Sequence, residues 1–136
     1  MREEIQRIAE SIPFEDCARC VHRKMLMELV EAGFGCLHEV DAFYPGKTGI
    51  RKGRIDILAF RDGKRIGIEI DNQAPREKSV LKLLEMDLDY RFIVLRRKRF
   101  QIGQIRGIDG VFYTQQPRGL GRGVSGNHES SIKVIR

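Results

Sequence analysis

The sequence predicts an α/β domain, a mixed central sheet flanked by helices, and three observations carry that expectation. Two runs of strand-like residues, Arg54–Phe60 and Arg65–Asp71, flank the turn signal Asp62-Gly63. Asp-Gly between alternating apolar runs is a strong local signal for an antiparallel hairpin. A helical pattern over 76–87 then leads to Phe92-Ile93-Val94-Leu95, a continuous apolar run of the kind that fills a buried strand. Finally, two segments with helical spacing precede all the strands.

The elements follow in order. The chain has 136 residues, 41% of them hydrophobic, enough for one compact core and too few for two ordinary domains. Ile5, Ile8, Ala9 and Ile12 make a short leading helix over 2–12, closed by Pro13. From Glu15 to Ala32 an apolar stripe of Cys17, Ala18, Val21, Met25, Leu29 and Ala32 predicts the longest helix, with Gly33 where a left-handed cap belongs. Phe34–Tyr44 reads as a strand, and Pro45–Gly53 as a glycine-rich basic loop. After the hairpin, Asn72–Pro75 connects to a helix over 76–87 carrying Val80, Leu83 and Leu84. A strand, a helix and a strand in that order return Phe92–Leu95 parallel to Arg65–Asp71. Gly110–Thr114 adds a further strand. The domain thus spans 1–114, and 115–136 reads as a flexible basic, glycine-rich tail whose Ile132, Val134 and Ile135 can dock.

No apolar block near the N-terminus resembles a signal peptide, and no run approaches the roughly 20 residues of a membrane span. A soluble, cytoplasmic protein with no membrane partner is expected. Three cysteines, Cys17, Cys20 and Cys36, are an odd count for a disulfide framework, so reduced thiols are the default.

The net charge of +6 and pI near 9.5 matter less than their distribution. Between Ala42 and Ile55 there is no acid, but Lys47, Arg51, Lys52 and Arg54; between Tyr90 and Ile108 there is none, but Arg91, Arg96, Arg97, Lys98, Arg99 and Arg106. Clustered cations release counterions from a phosphate backbone, so these runs suit a polyanion such as DNA, with RNA left open. A solvated basic face is the plainer alternative.

A two-residue turn at Asp62-Gly63 sets the register of the hairpin. It places Asp56 opposite Glu69 and Arg54 opposite Asp71, and strand alternation puts Glu69 and Asp71 on one face. Ile55, Ile57 and Ala59 against Ile66, Ile68 and Ile70 then mark the core side. Like charges opposed on a sheet cost roughly 0.2–1 kcal/mol. Something should neutralise Asp56, Glu69 and Asp71. Mg²⁺, with Mn²⁺ as an alternative, binds such oxygen ligands, acidifies a bound water and offsets charge on a phosphodiester. The plainer alternative is a surface charge network built on Arg54 and nearby lysines.

Gly53-Arg54-Ile55-Asp56-Ile57-Leu58, the hairpin, and Ile68-Glu69-Ile70-Asp71 resemble the PD-(D/E)XK nuclease superfamily, which has the restriction-endonuclease-like fold. The resemblance covers residues 15–95 and implies a metal-dependent endonuclease acting on DNA. It makes Asp56 and Glu69 metal ligands, and assigns Asp71 to orienting the attacking water or to the metal shell. The third triplet position, most often Lys in the family, is Asp71 here, as in the branch resembling very-short-patch repair endonucleases. Lys82 or Lys78 restores the missing cation if its helix turns it toward the hairpin. A further acid, Glu39 or Glu28, fits the family's habit of drawing one from the first strand or helix. Gln73 is placed to reach substrate or to bond within its loop.

In this reading Arg51, Lys52, Arg54, Arg96, Arg97, Lys98 and Arg99 hold the nucleic-acid backbone. A double-strand cut by so small a chain calls for a symmetric homodimer, whereas a nick does not. Two alternatives stay open: a nuclease fold that binds nucleic acid without cutting it, and an interaction protein stabilised by zinc on Cys17, Cys20, His22, Cys36 and His38.

Overall fold

The computed structural model describes residues 1–14 and 17–117, together with the backbone of 131–132. Its elements are α1 (Arg2–Ser11), α2 (Ala18–Glu31), β1 (Gly35–Gly46), β2 (Gly49–Arg61), β3 (Lys64–Asp71), α3 (Glu77–Glu85), β4 (Tyr90–Leu95), β5 (Gln101–Ile102), β6 (Gly110–Tyr113) and β7 (Ser131–Ile132). A five-stranded sheet has the order β1-β2-β3-β4-β6. β1, β2 and β3 are antiparallel neighbours, while β3, β4 and β6 run parallel. The protein is α/β with a mixed sheet flanked by helices.

The hairpin forms in the register its turn dictates, with Arg61 opposite Lys64 and Ile57 opposite Ile68. Asp62 and Gly63 both have positive φ, 55° and 78°. That is the backbone a two-residue turn matched to strand twist requires. α3 carries the chain from β3 to β4, and Tyr90–Leu95 pairs parallel with Ile66–Asp71.

Both faces of the sheet are buried. Ile5 and Ala9 of α1 and Val21, Met25 and Leu29 of α2 cover Ile57, Ala59, Ile66, Ile68, Phe92, Val94 and Phe112. On the other face Val80 and Leu83 of α3, with Leu88, cover Ile55, Leu58, Ile93 and Leu95. This corrects the expectation of one core face holding Ile55, Ile57 and Ala59 together, because Ile55 belongs with α3. It also corrects Glu28, which is exposed: the buried stripe of α2 steps by four, and position 28 turns outward.

Pro45–Gly53 is not a loop. β1 and β2 stay paired as far as Gly46 and Gly49, around a tight turn at Lys47-Thr48, and form an arm extending past the end of β3 pairing. Pro45 is tolerated there because β1 is an edge strand, with no neighbour on its outer side among the described residues. Of the expected tail, Gln115 is tied to the body by its N–H to the Ile12 carbonyl at 2.9 Å, and the backbone of Ser131–Ile132 pairs with Gln101–Ile102. Residues 118–130 and 133–136, including Val134 and Ile135, lie outside the described residues. Among the described residues no helix is long and apolar enough to cross a membrane.

α3 lies close over β3 at Gly67. A Cβ there would come 2.6 Å from Leu88 Cδ1 and 2.9 Å from Leu83 Cδ2. Gly67→Val should therefore overpack this layer and lower unfolding free energy by roughly 1–3 kcal/mol in urea denaturation. An unchanged midpoint would show that α3 gives way freely.

Candidate functional site

The regular ladders fail at Asp56. On one side, β1–β2 pairing passes from His38–Ile57 to Val40–Ile55 and skips Glu39 and Asp56. On the other, β2–β3 pairing ends at Ile57–Ile68. Carboxylates fill the gap. The Asp56 N–H donates to Glu69 Oε2 at 3.0 Å, and the Ile70 N–H donates to Asp56 Oδ2 at 2.7 Å. Two backbone donors at the point where β2–β3 pairing stops are thus satisfied by acids. Glu39 sits beside the break with φ of +54°, a left-handed conformation unusual for a non-glycine residue.

Asp56 lines a small cavity of about 220 Å³ with Ala18, Arg19, His22, Glu39 and Ile70. Glu69 is completely buried on β3, with Lys82 of α3 beside it: Nζ is 3.2 Å from Glu69 Oε1 and donates to the Arg54 carbonyl at 2.6 Å. Among the described residues the geometry at Oε1 is that of an ion pair with Lys82, whose ammonium pulls Glu69 toward its ionised form. Burial first, and then the Asp56 charge, push Glu69 up to about 7, against the pull of Lys82. Burial also raises Asp56, offset by the Ile70 N–H and by His22 and Lys82.

Asp71 is occupied differently. Its Oδ1 accepts from Arg76 Nε and Ser79 Oγ, each at 3.0 Å, and its Oδ2 accepts from the Arg76 N–H at 3.0 Å. It anchors the start of α3. Among the described residues no three His, Cys, Asp or Glu side chains gather as a metal-holding group. Asp56 and Glu69 are tied together through the backbone bonds at the break, whereas Asp71 is bonded to the start of α3 while its charge still acts on both of them. Arg54 does not face Asp71 either, because pairing has stopped before that point; its guanidinium reaches Glu39 at 3.1 Å and Asp41 at 4.0 Å on β1.

The other residues singled out in the sequence are dispersed. Glu39 is exposed and paired to Arg54, yet borders the Asp56 cavity. Lys78 lines a separate cavity at the arm with Tyr44 and Arg51. Lys52 is exposed, 3.6 Å from Asp41. Arg96–Arg99 leave β4 beside the end of β3: the Arg96 N–H bonds the Asp71 carbonyl and the Arg97 N–H the Asn72 carbonyl. Arg97, Lys98 and Arg99 lie over the rings of Phe14, Tyr113 and Phe100.

Among the described residues Cys17, Cys20, His22, Cys36 and His38 do not gather as a metal-holding group. Cys17, Cys20 and Cys36 form no disulfide among the described residues, and Cys17 caps α2 by accepting the Cys20 N–H. His22 and His38 meet edge to face at 5.9 Å. Sequence reasoning weighed His22 only for zinc, whereas it lines the Asp56 cavity with a buried Nε2 that has no hydrogen bond among the described residues. It also missed Arg76 and Ser79. An acid followed by a helix entrance carrying Arg and Ser was the available signal. The chain matches no family model, no curated protein and no solved structure.

The upward displacement of Glu69 has a signed consequence. The folded state holds its proton more tightly than the unfolded chain, so its contribution to stability is complete below the ordinary value of 4.5 and is lost as pH climbs through about 7. Thermal melts from pH 5 to 8 should show a decline for the wild type that is smaller in Glu69→Gln. Parallel pH profiles would mean that Glu69 is not displaced.

Proposed function

We propose that the chain is a divalent-metal-dependent nuclease of the PD-(D/E)XK type that hydrolyses DNA phosphodiester bonds. The observation that carries this reading is the Asp56–Glu69 pair at the parting of β2 and β3. Among the described residues Glu69 Oε1 is buried with only the Lys82 ammonium, 3.2 Å away, as an ion-pair partner, and Asp56 Oδ2 is held by Ile70. That donor set fits Mg²⁺ or Mn²⁺, which characteristically take only one or two protein carboxylates. Asp56 and Glu69 would hold the ion, which supplies an acidified water and offsets negative charge on the phosphate.

The chain's own groups supply the rest. Lys82, reaching the pair from α3, stands in for the lysine that the resemblance leads one to seek at position 71. Its ammonium favours ionised Glu69 and sets a positive charge beside the carboxylates. Asp71 acts through α3, fixing the helix that delivers Lys82. Arg51, Lys52 and Arg54 on the arm and Arg96–Arg99 after β4 hold the phosphate backbone on either side.

A second reading, binding without cutting, has its own support: Lys82 already compensates Glu69, so the pair can persist without a metal. Incubation with single-stranded, duplex and branched DNA, and with RNA, in Mg²⁺ or Mn²⁺ separates the two. Cleavage of DNA is expected, reduced roughly 100-fold or more in Asp56→Ala and Lys82→Ala with DNA binding retained, the scale of losing a positioned charge or proton-transfer group. If none of these substrates is cut and Asp56→Ala binds like the wild type, the enzyme reading falls and the binding module stands.

A further inference from the structure

Beyond the ends of β3 and β4 lies a cavity of about 690 Å³, lined by Phe14, Asn72, Gln73, Arg97, Lys98 and Arg99, with Gln116 and Pro117 closing one side. We infer that this cavity is a pocket for one unpaired nucleotide, so that the substrate strand is single-stranded or locally unpaired DNA. The inference rests on the nuclease reading only for the choice of nucleic acid as ligand.

The lining has the chemistry of base recognition. Phe14 offers a ring for stacking, and the Arg97 guanidinium lies 5.2 Å from its centroid. Stacking on an aromatic ring or a guanidinium plane is how proteins hold bases that are not paired. Asn72 and Gln73 each bring an amide that can donate and accept, and neither side chain is hydrogen-bonded among the described residues. Gln116 differs: its Oε1 accepts the Lys98 N–H at 2.9 Å and its Nε2 donates to the Thr114 carbonyl at 2.8 Å. Gln116 is therefore wall, while Asn72 and Gln73 are available to read a base edge. Lys98 and Arg99 are exposed and suit the attached phosphate.

Size and position agree with this assignment. The volume falls within the roughly 300–1,000 Å³ of small-molecule pockets. Asn72 and Gln73 follow β3 directly, and Gln73 is four positions along the chain from Glu69, a reach of at most roughly 14 Å. A strand whose backbone crosses the acidic pair can thus place a nearby base in the cavity. A base inside a duplex cannot enter without leaving its stack, so a strand already unpaired is favoured.

The test is a binding titration in EDTA, where no metal-dependent cleavage occurs. Fluorescence anisotropy would follow a short labelled DNA single strand, the same sequence as a blunt duplex, and the matching RNA strand. The DNA single strand should bind about tenfold more tightly than the duplex, and Phe14→Ala should remove about that factor on the single strand alone, the scale of losing one base–aromatic stack. Gln73→Ala, which removes an amide with no hydrogen bond among the described residues, should weaken the single strand severalfold and leave the duplex unchanged; it guards against Phe14→Ala failing to fold. Equal affinity for strand and duplex, tighter binding of RNA than DNA, or equal losses on both DNA forms would overturn the pocket. A strand preference without cleavage in Mg²⁺ would reject the nuclease reading and keep the pocket; cleavage without the preference would do the reverse.

Discussion

Where β2 parts from β3, the backbone hands its hydrogen bonding to two acids, and much of the site depends on that exchange. The Asp56 N–H bonds Glu69 and the Ile70 N–H bonds Asp56, so each carboxylate fills a place in the sheet as well as belonging to a charged pair. A buried polar group left unpaired is costly, which fixes both side chains in position. The second oxygen of each is not used by these two bonds; Asp56 lines a cavity with His22, and the Lys82 ammonium stands beside Glu69 and acts on Asp56 too.

The exchange places demands on α3. Lys82 reaches Glu69 only because Val80 and Leu83 seat the helix on Ile55, Leu58 and Ile93, with Gly67 beneath allowing close approach. The helix begins where Asp71 accepts from Arg76 and Ser79. The three acids of the hairpin therefore divide their labour. Two form the pair, and the third sets the angle from which a lysine meets it.

The sequence revealed what short-range chemistry writes and missed what docking decides. Asp62-Gly63 fixed the hairpin register, and the apolar run after a helical stretch indicated a parallel return strand, because turn type and periodicity are local properties. Ile55 was assigned to the wrong face, since alternation was extended through Asp56, where both ladders are interrupted. Pro45 and Gly46 read as a loop because their tolerance in an edge strand depends on what lies beside them. The bonds of Asp71 to Arg76 and Ser79 were not legible, because they form only when α3 packs. Lys82 was legible conditionally: its position was visible in the sequence, and the turn of its helix was not.

The central claim is that Asp56 and Glu69 form a cation seat and that Asp71 is an anchor outside it. The most direct measurement is Mn²⁺ binding followed by electron paramagnetic resonance on the purified protein and three variants. The account predicts binding by the wild type, loss in Asp56→Asn and Glu69→Gln, and retention in Asp71→Asn variants that circular dichroism shows to be folded. Mn²⁺ binding that survives both Asp56→Asn and Glu69→Gln, or that disappears in folded Asp71→Asn alone, would contradict it.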